Sequence, residues 1–172
     1  VYLLHWLYRR SSKEVSFVRT GMLGEKVVIS GGAFVLPIIH NITQVGMRTL
    51  SLNIKRAGEK SLITKDRMRA ELVTEFFTKV PPEAKAVSTA AQTLGNRTLD
   101  PEHLKEVVAG RFADALGEVA AKMTLDEIQE NRGHFVKEVA KIANESIGHT
   151  GLALETVSII SLDQAPIEMF NP

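Results

Sequence analysis

Five histidines, a serine before a glycine pair and one lysine–aspartate step are the residues of this chain whose types invite chemistry. None falls into a spacing that performs it. The histidines are His5, His40, His103, His134 and His149. A hydrolytic zinc centre of the H-E-x-x-H kind needs two imidazoles one helical turn apart with a glutamate beside the first, and no pair here meets that. His134 and His149 flank one expected helix, about 22 Å apart at 1.5 Å per residue, and so cannot share a metal. They read as surface or cap histidines. Gly31-Gly32 lacks the further glycines and the lysine of a phosphate-cradling loop and reads as a tight turn between strands. Ser30 lacks the G-x-S-x-G elbow of a hydrolase nucleophile. Lys65 and Asp66 would point to opposite faces of a strand, so a hairpin turn explains them better than an acid/base pair. Lys122, Asp126, Glu127, Glu130 and Lys137 read as solvated or subunit-facing charges. The expectation is a non-enzymatic chain with no catalytic residue, no metal ligand and no cofactor.

The bulk numbers are consistent with a folded domain. The chain has 172 residues, 44% of them hydrophobic and 24% charged, enough to bury a real core as one domain or two small ones. Lys+Arg number 21 against 20 Asp+Glu, a formal charge of +1. A nucleic-acid binder usually carries a strong basic excess, so no nucleic-acid partner is expected. The absence of cysteine excludes disulfides, thiolate metal sites and cysteine nucleophiles.

The elements that must position any functional surface divide the sequence. Tyr2, Leu3, Leu4, Trp6, Leu7 and Tyr8 are followed at once by Arg9 and Arg10, with Lys13 beyond. The eight-residue stretch Val1–Tyr8 is too short for a spanning helix, which needs about 20 apolar residues. Its order matches the last turns of one, with Tyr2, Trp6 and Tyr8 as an aromatic belt and the basic cluster holding the following domain on the cytoplasmic side. The expectation is the end of a truncated, single-pass N-terminal anchor over residues 1–13. A short amphipathic element packed on the domain, or a cut signal-like segment, is the alternative.

Strand patterns then cover Val15–Arg19, Lys26–Ser30 and Met47–Lys55, the last by strict alternation. Ala33–Ile39 is apolar around a central proline, which disqualifies it as a central strand. Ser61–Thr64 and Met68–Thr78 bracket Lys65-Asp66-Arg67 as a hairpin. Helical patterns follow. Pro81-Pro82 opens a short helix with Ala84, Val87, Ala91 and Leu94 on one face. Asp100-Pro101 is an N-cap with proline in the first helical position. Leu104, Val108, Phe112, Leu116, Val119 and Met123 form the stripe of a long helix. Thr124 and Glu127 have the spacing of a capping box. A last helix from about Asn131 to Ile147 turns Phe135, Val139, Ile142 and Ile147 inward, with Gly148 as its stop. Leu152–Leu162 is a returning strand. Strands, then helices, then a strand suggest an α+β fold. Ala165–Pro172 reads as extended linker, because each proline restricts its own backbone and that of the residue before it.

In this order the elements resemble the SPFH (band 7, prohibitin homology) domain, and within it the bacterial flotillin type. Ser30-Gly31-Gly32-Ala33-Phe34-Val35-Leu36-Pro37 is similar to the glycine turn and apolar segment of flotillins. Ile63-Thr64-Lys65-Asp66 resembles the family's hairpin turn, although Arg67 stands where a glycine often follows. Met123-Thr124-Leu125-Asp126-Glu127-Ile128 with Asn131, Arg132 and Phe135 is similar to its late helix-turn-helix. Thr150-Gly151-Leu152 through Val157, and Leu162-Asp163, are similar to its closing strand. Gly117 stands where many members have arginine. The resemblance runs from about residue 14 to 163.

The resemblance implies a β-rich membrane-proximal subdomain over 14–60, an α+β subdomain with a closing strand over 61–163, and a linker over 164–172 toward a missing coiled coil. It implies a scaffold at the inner or plasma membrane that forms homo-oligomers through SPFH domains and the coiled coil and organises membrane microdomains. It also implies a lipid-bilayer partner and a small membrane protein bearing an OB-fold. A regulatory SPFH subunit of a membrane protease, or a soluble α+β ligand-binding domain with a deep apolar pocket, are the alternatives. The apolar run Phe34, Val35, Leu36, Pro37, Ile38 and Ile39 carries no charge and follows a glycine turn. By alternation alone half of it would face a core; with the resemblance, the whole run is expected to contact the bilayer.

Overall fold

The computed structural model describes residues 2–11, 15–21, 24–35 and 40–164. Along the chain these form α1 (Tyr2–Leu7), β1 (Tyr8–Arg10), β2 (Val15–Gly21), β3 (Lys26–Val28), β4 (Gly32–Phe34), β5 (His40–Gly46), β6 (Leu50–Arg56), β7 (Leu62–Ile63) and β8 (Arg69–Lys79). They continue as α2 (Ala84–Thr93), α3 (Pro101–Ala120), α4 (Leu125–Glu130), α5 (Arg132–Gly148) and β9 (Ala153–Gln164), with 3-10 turns at Gly58–Lys60 and Gly95–Leu99. The architecture is α+β: strands first, helices next, and a closing strand.

Two compact units interleave along the sequence. One comprises Val1–Thr49, Lys79–Leu104 and Gly148–Ala153; the other comprises Leu50–Thr78, Lys105–Ile147 and Leu154–Pro172.

The second unit is built on β8. Its burial alternates without a fault, with Ala70, Leu72, Thr74, Phe76 and Thr78 inward, because side chains of a strand leave it on alternate faces. β6 pairs antiparallel along it from Leu50↔Thr78 to Arg56↔Leu72, and β7 and β9 also pair with it. Phe76 stacks on Phe112 of α3 with ring centroids 4.4 Å apart and planes 8° from parallel. The expected stripe Leu104, Val108, Phe112, Leu116 and Val119 is buried on α3, while Met123, expected on the same helix, is buried in the turn after α3 ends at Ala120.

At α4 the capping box is present, with the Thr124 hydroxyl accepting from the Glu127 N–H and the Glu127 carboxylate accepting from the Thr124 N–H. On α5 the buried ridge is Phe135, Val139, Ala143 and Ile147. Ile142, expected inward, is half-buried instead. A strict four-residue ridge with a small side chain at 143 places Ile142 on its flank.

The β7–β8 turn has one side chain in an unusual backbone state. Arg67 has φ 61°, the left-handed region. The Thr64 hydroxyl donates to the Asp66 carboxylate and accepts from the Met68 N–H at 3.2 Å. The Lys65 N–H reaches the Met123 carbonyl at 2.9 Å.

In the first unit, β2 lies between β3 and β5 in an antiparallel sheet. β5 escapes the sequence reading, because His40–Gly46 places its apolar residues Ile42 and Val45 three apart and so breaks the alternation of a strand. Pairing with β2 from Val15↔Gly46 to Gly21↔His40 supplies what the pattern lacks, and Val45 is fully buried. The strand expected from Met47 starts later, at Leu50, and the one expected to reach Ser30 ends at Val28.

The helix after Pro81-Pro82 is corrected too: α2 buries Val87, Ala90 and Leu94, while Ala84 is exposed and Ala91 half-buried. A Cβ added to Gly151 (φ +87) would lie 2.5 Å from both the Ala86 carbonyl and the Ala90 nitrogen. With no Cβ, Gly151 lets its backbone lie directly against the Ala86–Ala90 side of α2.

Candidate functional site

The aromatic–basic start of the chain and the apolar segment after the glycine pair meet in one two-stranded ribbon. β1 pairs antiparallel with β4 in the register Tyr8↔Phe34, Arg9↔Ala33 and Arg10↔Gly32. Two flanking backbone bonds extend the pairing: Val35 N–H to the Leu7 carbonyl at 2.9 Å, and Ser11 N–H to the Gly31 carbonyl at 2.7 Å. The Ser11 hydroxyl donates to the Ile29 carbonyl at 3.0 Å. Gly31 takes φ +80°, a value that glycine adopts at no steric cost. The tight turn expected at Gly31-Gly32 is thus half turn and half strand, with Gly32 opening β4.

Tyr2–Leu7 is helical as expected, but Tyr8 is not its continuation. It starts β1 because the ribbon offers its backbone partners in β4. Leu4 is 60% exposed and Trp6 63%, and Tyr8 is exposed as well. Leu7 is half-buried, while Arg9 and Arg10 are exposed. Among the described residues, no helix is long and apolar enough to cross a membrane.

The expected contact run is divided. Ala33 joins Phe17 and Val28 in a buried cluster with Ile42 packed against it. Alternation along the chain sends Val35 to the same side, and it is buried at 8% exposure, which removes Val35 from the contact surface. Phe34 belongs to β4. Leu36, Pro37, Ile38 and Ile39 lie outside the described residues.

Arg9 is the register partner of Ala33, so both stand on the ribbon face turned to Phe17 and Ile42. There, a cleft of about 430 Å³ is lined by Arg9, Arg10, Phe17, Ile42, Gln44 and Asn96. Phe17 and Gln44 are register partners in the sheet below. Asn96 comes from the 3-10 turn Gly95–Leu99, whose Thr98 hydroxyl accepts from the Gly46 N–H at 2.8 Å. Gln44 and Asn96 gave no signal in the sequence, because only pairing of β5 and docking of that turn bring them to the arginines.

His103 and His134 both lie in the first turn of a helix, near its capping side chain. Asp100 caps α3, its carboxylate accepting from the Glu102 N–H at 3.1 Å and meeting His103 Nδ1 at 3.2 Å. These bonds, led by the His103 side chain, hold its pKa below the ordinary value. The His134 N–H is turned to the Asn131 side-chain oxygen at the start of α5. Among the described residues, no group of three or more His, Cys, Asp or Glu is arranged to hold a metal ion.

The profile of the SPFH domain / Band 7 family matches residues 11–170. The chain is 50% identical over 166 residues to the flotillin family inner membrane protein YqiK of Escherichia coli (strain K12), covering 96% of this chain and 30% of that protein. It is 28% identical over 169 residues to the flotillin family inner membrane protein sll1021 of Synechocystis, of which it covers 25%. It is 26% identical over 137 residues to human flotillin-1, of which it covers 30%. The chain therefore spans less than a third of the length of each of these relatives.

Proposed function

The chain belongs to the SPFH domain / Band 7 family, and from that premise we propose that it is the membrane-proximal domain of a flotillin-type scaffold. The observation that carries this reading is the exposure of Leu4 and Trp6 directly before Arg9 and Arg10. Apolar and aromatic side chains favour the interfacial zone of a bilayer, and adjacent cations favour its anionic headgroups. The ribbon of β1 and β4 ties that segment to Phe34, so Phe34, Leu36, Pro37, Ile38 and Ile39 join the proposed contact.

The reading extends to an inner-membrane location, with Arg9 and Arg10 holding the domain on the cytoplasmic side of a single-pass anchor. It extends also to homo-oligomers that delimit membrane microdomains, with a small OB-fold membrane protein as partner. The domain acts there by holding position rather than by catalysis. One copy contributes little: a buried apolar side chain is worth about 1.5–3 kcal/mol, and even a myristoyl chain binds only with K of about 10⁴ M⁻¹. Assembly multiplies such contacts by roughly 10²–10⁴ in avidity.

Vesicle flotation tests this. The 172-residue chain is expected to float with vesicles containing phosphatidylglycerol, and Leu4→Ser with Trp6→Ser to reduce the floated fraction several-fold while circular dichroism stays unchanged. Equal flotation of the folded double variant would refute the reading.

A further inference from the structure

The cleft beside the ribbon has the composition of an anion site. Its described lining is two arginines, of which Arg9 stands on the cleft face, with a glutamine, an asparagine and two apolar residues, and it includes no acidic residue. The guanidinium fork donates two parallel hydrogen bonds to a phosphate, and amide NH2 groups add neutral donors. Phe17 and Ile42 form the apolar side and belong to, or pack on, the buried cluster under the ribbon. The register fixes the roles of the two cations. Arg9, opposite Ala33, stands on the cleft side, and Arg10, opposite Gly32, stands on the Tyr8 side, so it guards the rim. In sequence, Arg9 directly follows the Trp6-Leu7-Tyr8 stretch, of which Trp6 and Tyr8 are exposed.

We infer that this cleft binds the phosphate of a phosphate-bearing ligand between Arg9 and the amides of Gln44 and Asn96. This inference rests on the membrane reading above for its preferred source, a glycerophospholipid headgroup, with a free organic phosphate as the other source of the same chemistry. A diffuse attraction of basic residues to an anionic surface would depend on charge alone. A built site depends on uncharged donors as well and prefers a forked cation to a point charge.

The test uses the 172-residue chain with two probes, phosphatidylglycerol-containing vesicles and soluble glycerol 3-phosphate. Vesicle affinity is measured for Arg9→Lys and Asn96→Leu, the first keeping the charge and the second leaving it untouched. Folding of each is checked by circular dichroism. The site requires each variant to bind about five- to tenfold more weakly than the unaltered chain, whereas a diffuse field leaves both unchanged, and that result overturns the inference. With glycerol 3-phosphate, the side-chain amide NMR signals of Gln44 and Asn96 are followed. Saturable shifts in both, lost in Arg9→Lys, support the site and identify free phosphate as a sufficient ligand. Shifts on vesicle-like bicelles of the same lipid but not on the soluble probe support it with the headgroup as the source. Signals unmoved by either probe overturn it. If the chain fails to float at all while the amides respond to soluble phosphate, the membrane reading fails and the site stands.

Discussion

Tyr8 lies across Gly32, so closely that a Cβ built on the glycine would stand 2.7 Å from Cζ and 2.8 Å from Cε1 of the ring. The same Cβ would also run into the Arg9 carbonyl oxygen. The glycine is required here by close approach of its neighbours. It lets β1 seat on β4, and so fixes where Trp6 and the two arginines are presented. Gly32→Ala forces either the ring or the strand to move, an overpacking cost of about 1–3 kcal/mol. Amide hydrogen exchange at Ser11 and Val35, whose N–H groups bond across the ribbon, is expected to accelerate more than tenfold. Unchanged protection at both would show that the ribbon tolerates a side chain there.

Arg67 holds a left-handed backbone at φ 61° in the β7–β8 turn. An L-residue with a Cβ spends about 1–2 kcal/mol in that region, and glycine does not. Arg67 is exposed, so its replacement removes little packing. Arg67→Gly is expected to raise unfolding stability by roughly 1 kcal/mol, read from the urea midpoint at constant slope.

In the same turn, Asp66 titrates below its ordinary 3.8, chiefly because the Thr64 hydroxyl donates to its carboxylate. A lowered folded pKa means that the unfolded chain binds the proton more readily, so stability rises with pH across the window. The contribution is complete above about pH 4–5 and is lost as pH falls through the folded value. The stability difference between the unaltered chain and Asp66→Asn should be constant near neutrality and shrink below pH 3.8. A difference that grows on acidification would reverse the assignment.

What could be read from the sequence follows the strength of each local signal. The stripe of α3 from Leu104 to Val119, the Thr124–Glu127 box and the closing strand were legible because periodicity and capping are properties of neighbouring residues. The buried side of α2 was not, since Gly151, far along the chain, decides how closely the backbone approaches Ala90. β5 was not, since the Ile42–Val45 spacing carries no strand period and only pairing with β2 makes it one. At the candidate site, the exposed aromatics and the arginines could be named from their order alone. Burial of Val35, and the arrival of Gln44 and Asn96 at the cleft that Arg9 lines, arise from tertiary pairing that no local pattern encodes.

Trp6 is the one tryptophan of the chain and is 63% exposed, so its emission reports directly on the proposed membrane contact. With vesicles containing phosphatidylglycerol, its emission is expected to shift to the blue and to be quenched by lipids brominated near the headgroup end of the acyl chain. An emission maximum that stays at the position of a water-exposed indole, unquenched at saturating lipid in a folded protein, would contradict it.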